Sequence, residues 1–212
     1  TLRAMGGVHQ AEDFISEKPD YTTPICGDYK GTELVEHPPN AQGATAILML
    51  NMLSHFNLSG LDPFGAQRTH IEAEIAKLAY NARNRFIADP RHMAREDYLT
   101  DPKTATALAA LVNPSSVIQA VDRITETVHK DTIYITVVDR DGMAVSMIYS
   151  IFHGFGSGIA TDKYRILLHN RGAGFTVEEG HPNELKGGKR PMHTIIPGML
   201  AKDGKPFMPF GV

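Results

Sequence analysis

Thr132 heads the run Thr132-Ile133-Tyr134-Ile135-Thr136-Val137-Val138 and follows the polar stretch Thr127-Val128-His129-Lys130-Asp131. A threonine hydroxyl is a poor nucleophile unless a base stands beside it, and the nearest base it can acquire is its own α-amino group. In an uncut chain that nitrogen is a non-basic amide. Cleavage between Asp131 and Thr132 would turn it into an amine of pKa about 8, able to take the hydroxyl proton. A chain that works this way is a precursor whose active site is made by its own cleavage. The plainer reading is that Thr132 is a β-branched residue opening a strand, and pattern alone favours it.

The flanking elements decide what Thr132 faces. Asp139-Arg140-Asp141-Gly142 reads as a turn, Met143 to Ser150 as a returning strand, and His153-Gly154-Phe155-Gly156-Ser157-Gly158 as a glycine loop. Asp-Gly is a strong hairpin signal. A three-residue loop closed by a left-handed glycine would pair Asp139 with Met143 and set Thr132 opposite Ser150, both side chains on one face. A two-residue Asp141-Gly142 loop would instead pair Thr132 with Ile151 and turn Ser150 away. Both registers suit the pattern.

Three groups of residues then carry a resemblance. They are Thr132 through Gly158; Ile166-Leu167-Leu168-His169-Asn170; and Gly188-Lys189-Arg190-Pro191-Met192-His193-Thr194 with Pro197. Upstream, Thr23-Pro24-Ile25-Cys26-Gly27-Asp28-Tyr29-Lys30-Gly31 and Pro38-Pro39, followed by Gly43, agree in order and spacing. The chain resembles the gamma-glutamyltransferase family of N-terminal-nucleophile hydrolases over nearly its whole length. The resemblance implies an α+β fold, part of a four-layer αββα sandwich. Residues 1–131 would close a mostly helical large subunit, and 132–212 would open a strand-rich small catalytic subunit from the same precursor.

Residue by residue, Thr132 matches the family's catalytic threonine and Ser150 the hydroxyl that hydrogen-bonds it, which selects the three-residue loop. Gly156, Ser157 and Gly158 match the loop after the second core strand. The glycine pair of the oxyanion hole is expected just past Val212, so residues 1–212 alone are expected to be inactive. In the substrate pocket this chain departs from the family: Phe152 replaces an asparagine, Arg171 a glutamine, Gly174 an aspartate, and His193-Thr194 a serine pair. The aspartate pairs the α-ammonium of a glutamyl substrate. Without it a buried ammonium lacks its counterion, a loss on the order of 3 kcal/mol. Arg171 offers a fork suited to a carboxylate, unless it is a solvated surface arginine.

Asn170-Arg171-Gly172-Ala173-Gly174-Phe175 looks like the branch containing oxamate amidohydrolase and related acylases. The expectation is an autoprocessed amidohydrolase acting on a small carboxylate-bearing amide, with water or an amine as acceptor and no cofactor. Its rivals are a gamma-glutamyltransferase or glutathione hydrolase with a rebuilt pocket, and an uncleaved scaffold or binding protein.

Composition narrows the field from the other side. A chain of 212 residues with 42% apolar content supports one sizeable core. A net charge of −3 without a basic run argues against nucleic acid as a partner. The longest apolar stretch, Ala44 to Leu53, is far short of a membrane span. Cys26 alone makes no internal disulfide, which leaves the compartment open with the cytoplasm narrowly ahead of a periplasmic or secreted setting. Thr1 is not an initiator methionine, so an upstream segment is expected.

Other chemistries fail on spacing. In the 139–142 turn, Val137 and Ile148 stand where a calcium loop needs acids. Neither Gly154-Phe155-Gly156-Ser157-Gly158 nor Gly187-Gly188-Lys189-Arg190 has nucleotide-loop spacing, and Ser157 is in no nucleophile elbow. The ten histidines show no ligand pairing, so no metal is expected. For the elements, strands are expected within 21–37 around a Gly27-Asp28 turn, and a buried helix over Ala44–Phe56. A second helix is expected over Ala66–Ile87, with Ile71, Ile75, Leu78 and Ala82 on one face at helical spacing and Glu72, Glu74 and Lys77 elsewhere. Asp89-Pro90 stops that helix. One or two short helices over 102–123 broken at Asn113-Pro114, then mostly strands to Phe210, complete the expectation.

Overall fold

Apolar spacing builds the helical layer first. In the computed structural model, which describes residues 1–95, 97–119 and 132–212, α1 is the short Ala11–Ile15 helix, and α2 (Gly43–Leu53) lies against α3 (Ala66–Phe86) and α4 (Pro102–Ala109). Leu48 and Met52 of α2 meet Ile71, Ile75, Leu78 and Ala82 of α3 in one buried cluster, so the helical face expected of α3 is the packed one. Glu74 does not lie outward as its neighbours do. It is buried, bonded by Lys77 Nζ and by the Ile118 N–H at 2.7 Å, and these donors more than offset its burial and lower its pKa. After α4 the described residues 113–119 form no second helix.

Beneath the helices runs an antiparallel sheet of order β1-β2-β5-β6, made of β1 (Ile25–Tyr29), β2 (Thr32–Glu36), β5 (Pro197–Lys202) and β6 (Lys205–Gly211). The turn between β1 and β2 is Lys30-Gly31, both at positive φ, and not Gly27-Asp28 as expected. Gly27 sits mid-strand for a different reason: a Cβ there would come within 2.6 Å of Ile47 in α2, so glycine lets the helix sit close. Because β2 pairs with β5, segments on both sides of residue 132 share this sheet.

β3 (Thr132–Val138) and β4 (Ala144–Ser150) form a separate hairpin. Its inner face meets β6: the Ser146 hydroxyl donates to the Phe210 carbonyl at 3.1 Å, and the Tyr134 ring lies against Gly211. The outer face leaves Ile133, Val137, Val145 and Tyr149 exposed. Among the described residues the mixed helix-and-sheet fold thus carries one helical layer and two sheet layers of an αββα sandwich. From Ile151 to Ile196 the chain is looped, with one 3₁₀ turn at Arg171–Gly174, where strands were expected.

One buried acid has a measurable consequence. Glu36 is 1% exposed, neither carboxylate oxygen has a hydrogen-bond partner among the described residues, and Gly43 and Gly198 leave it room that any Cβ would fill. Burial raises its pKa from 4.5 to about 7, with a weaker opposing pull from the His37 backbone N–H, which lies outside hydrogen-bond geometry. A raised carboxyl pKa means that stability is full below 4.5, falls as pH rises to about 7, and stays reduced above. Glu36→Gln should therefore gain about 2 to 3 kcal/mol on its parent between pH 5 and pH 8. Urea unfolding at the two pH values checks this; an equal difference at both would show that Glu36 does not titrate there.

Candidate active site

The hairpin register places the two hydroxyls. Asp139 N–H donates to the Met143 carbonyl at 3.0 Å, Gly142 takes φ +83°, and every pair from Val138↔Ala144 outward stays in step to Thr132↔Ser150. This is the three-residue loop. Thr132 Oγ1 and Ser150 Oγ stand 3.0 Å apart. Asp131, on the other side of the expected cleavage point, lies outside the described residues.

Arg171 closes on this pair from the 3₁₀ turn. It is 6% exposed, which decides between the pocket and the surface readings of its side chain. Nη2 donates to Ser150 Oγ at 2.9 Å, Nη1 reaches Thr194 Oγ1 at a long 3.4 Å, and the guanidinium carbon lies 4.9 Å from the centre of the Phe152 ring. Burial lowers the Arg171 pKa, yet a guanidinium stays charged at neutral pH. Phe152 itself is buried, takes φ +80°, and donates its backbone N–H to Ser150 Oγ at 3.1 Å.

His193 and Thr194 reach the cluster because the loop carrying them is tied to the segment before α2. His193 N–H donates to the Asn40 carbonyl at 2.7 Å, and the Gln42 side-chain amide donates to the Thr194 carbonyl. Gln42 in turn accepts from Arg83 Nη1 at 2.8 Å. The His193 pKa is lowered to about 4, first by burial and then by the charges of Arg171, His37 and His169, so the ring is neutral near pH 7. Its Nδ1 is buried without a partner among the described residues. Asn40, Gln42 and Arg83 were not foreseen as support for the site; nothing local marks them beyond two polar residues preceding an apolar helix and an arginine in the last turn of α3.

Gly174 is close to the cluster but has no space to spare. A Cβ there would lie 2.8 Å from the Met192 carbonyl, and Asn183 clamps the same loop by donating to the Gly174 carbonyl and accepting from Met192 N–H at 2.9 Å. An aspartate at 174 would need the backbone to move. Gly156, at φ +53°, lies where a Cβ would meet the Leu168 carbonyl, and Ser157 Oγ donates to that same carbonyl at 2.8 Å. Ser157 therefore clamps a loop.

The site is thus a hydroxyl pair at the open end of a hairpin with a buried arginine on it. The sequence model of the gamma-glutamyltranspeptidase family matches residues 1–212. This chain belongs to the gamma-glutamyltranspeptidase family. Its relatives in that family of N-terminal-nucleophile hydrolases include a glutathione hydrolase-like YwrD proenzyme of Bacillus subtilis, 32% identical over 99% of this chain and 39% of the relative. The oxamate amidohydrolase proenzyme of Klebsiella pneumoniae is 32% identical over 82% of this chain and 32% of its own length. The crystal structure of a cephalosporin acylase from Bacillus halodurans superposes with TM-score 0.87 at 31% identity, covering 98% of this chain and 37% of that one. The chain thus spans about two-fifths or less of the gamma-glutamyltranspeptidase relatives it matches.

Proposed function

We propose that the precursor containing this chain cleaves between Asp131 and Thr132 and becomes an amide hydrolase with Thr132 as its nucleophile. The observation that carries this reading is the approach of Thr132 Oγ1 to Ser150 Oγ at 3.0 Å, with Arg171 buried on the same serine. In the cleaved protein the Thr132 amine takes the hydroxyl proton while Oγ1 bonds to the amide carbonyl carbon. The amide C–N bond then breaks, and the departing nitrogen receives that proton. An ester on Thr132 remains. Water attacks it with the same amine as base, and the acid is released as the threonine hydroxyl is restored.

The substrate we infer is a small amide bearing a carboxylate. Arg171 keeps N–H groups beyond the one on Ser150, and its contact with Thr194 is long enough to yield to a better acceptor. No acid stands at 174 to hold an α-ammonium, and His193 is neutral beside the guanidinium. The processed enzyme should turn over oxamate with a higher kcat/KM than a gamma-glutamyl anilide. Faster turnover of the anilide would favour the second reading, a glutathione hydrolase, which draws its weight from relatives of that name.

A further inference from the structure

We propose that Arg171 is a positioning residue for the nucleophile: together with the Phe152 backbone it forces the Ser150 proton onto Thr132 Oγ1, so that Thr132 receives a hydrogen bond instead of giving one. A serine hydroxyl has one proton and two lone pairs. Three groups surround Ser150 Oγ: Arg171 Nη2 at 2.9 Å, Phe152 N at 3.1 Å and Thr132 Oγ1 at 3.0 Å. The first two can only donate. They occupy both lone pairs, and the Ser150 proton has Thr132 Oγ1 as its remaining acceptor. The Thr132 proton is then free to leave toward a base.

Two effects on reactivity follow, both resting on the reading of Thr132 as the nucleophile. Negative charge gathering on Thr132 Oγ1 meets an O–H already polarised by a guanidinium, and hydrogen bonds in such a chain strengthen one another. The guanidinium's own charge is not spent elsewhere: its side-chain hydrogen bonds go to hydroxyl groups, and no carboxylate of the described residues pairs with it. That charge opposes protonation of a nearby α-amine and holds the base in its working form to lower pH. The side chain is kept in place by the Phe152 ring below it and by burial to 6% exposure. A residue that only read a substrate carboxylate would do none of this for a neutral amide.

The test uses the complete precursor and its processed form with Arg171→Met, Arg171→Lys, Ser150→Ala and the Arg171→Met/Ser150→Ala pair. Autocleavage rate and turnover of a neutral amide are measured across pH. Arg171→Met should slow cleavage and lower kcat by about 10- to 100-fold, the range of one charged hydrogen bond. It should also move the acidic limb of the kcat/KM profile to higher pH. At pH above the acidic limb, where the amine is already unprotonated, adding it to Ser150→Ala should cost little more than Ser150→Ala alone, because the remaining effect runs through Ser150. Arg171→Lys keeps the charge and a donor, so it should keep the acidic limb and part of kcat.

Multiplying losses in the double variant at pH above the acidic limb would overturn the proposal. So would an Arg171→Met effect confined to KM for acidic amides, which would leave Arg171 as a carboxylate reader alone. Should Arg171→Met not fold, Arg171→Lys combined with Ser150→Ala gives the same decision on additivity. Turnover retained by Thr132→Ala is a separate outcome, since it removes the nucleophile reading itself.

Discussion

Thr132→Ala should leave the precursor as one uncut polypeptide without measurable turnover. On the proposed mechanism the substitution removes the attacking oxygen from both reactions at once, the internal one at the Asp131 carbonyl and the external one at the amide. Loss of the nucleophile in hydrolases of this kind costs on the order of 10⁴-fold or more, because little beyond binding and charge stabilisation is left. Ser150→Ala should behave differently: it deletes the 3.0 Å partner of Oγ1 and frees Arg171 Nη2, yet keeps the oxygen, so cleavage and turnover should slow without stopping. N-terminal sequencing of the processed parent should read Thr132 first. An uncut parent chain with full activity would show that a different group attacks.

Where the sequence was legible, the determining contacts were local. The hairpin is the clearest case for its strands and turn; its register, open between two loops in the pattern, followed from the family resemblance, and Asp139 and Gly142 hold the loop that sets Thr132 opposite Ser150. The inward face of α3 followed from spacing for the same reason, since each turn of a helix repeats the one before. The arginine was visible as a residue type but not as a direction. Its burial depends on Phe152, whose positive φ nothing in a phenylalanine announces, and on a loop expected to be strand. The burial of Glu74 left no mark in the spacing, because it sits one residue from the apolar stripe and accepts from the Ile118 N–H, 44 positions away. Asn40 and Gln42 hold residues about 150 positions downstream, and a pairing of that range leaves no periodic trace.

Asp89 shows how such a distant tie can govern the site, and its removal should be among the costliest changes in the chain. The carboxylate is 2% exposed and accepts four hydrogen bonds: Arg91 N–H at 3.1 Å, Arg91 Nε at 3.0 Å, Arg91 Nη2 at 2.7 Å and Arg190 N–H at 3.0 Å. Arg91 Nη2 also donates to the Gly188 carbonyl, so the end of α3 and the 188–190 loop are fastened at one point. His193 and Thr194 follow three and four residues later. Asp89→Ala leaves two backbone donors without their acceptor and should destabilise the protein by about 2 to 4 kcal/mol in chemical unfolding. It should also loosen Thr194 against Arg171 and raise KM. The acid limit points the same way. Arg91, followed by the backbone N–H groups, holds the Asp89 carboxyl well below the usual carboxylate range. A lowered pKa places this stability above the ordinary aspartate value and removes it as pH falls through the folded one, so the parent should lose more on acidification than Asp89→Asn does. Exposed ion pairs such as Arg140 with Asp141 should add little to that difference. An Asp89→Ala protein that unfolds within about 0.5 kcal/mol of its parent, with KM unchanged, would mean that the 188–194 loop is held by Asn40 and Asn183 without help from α3.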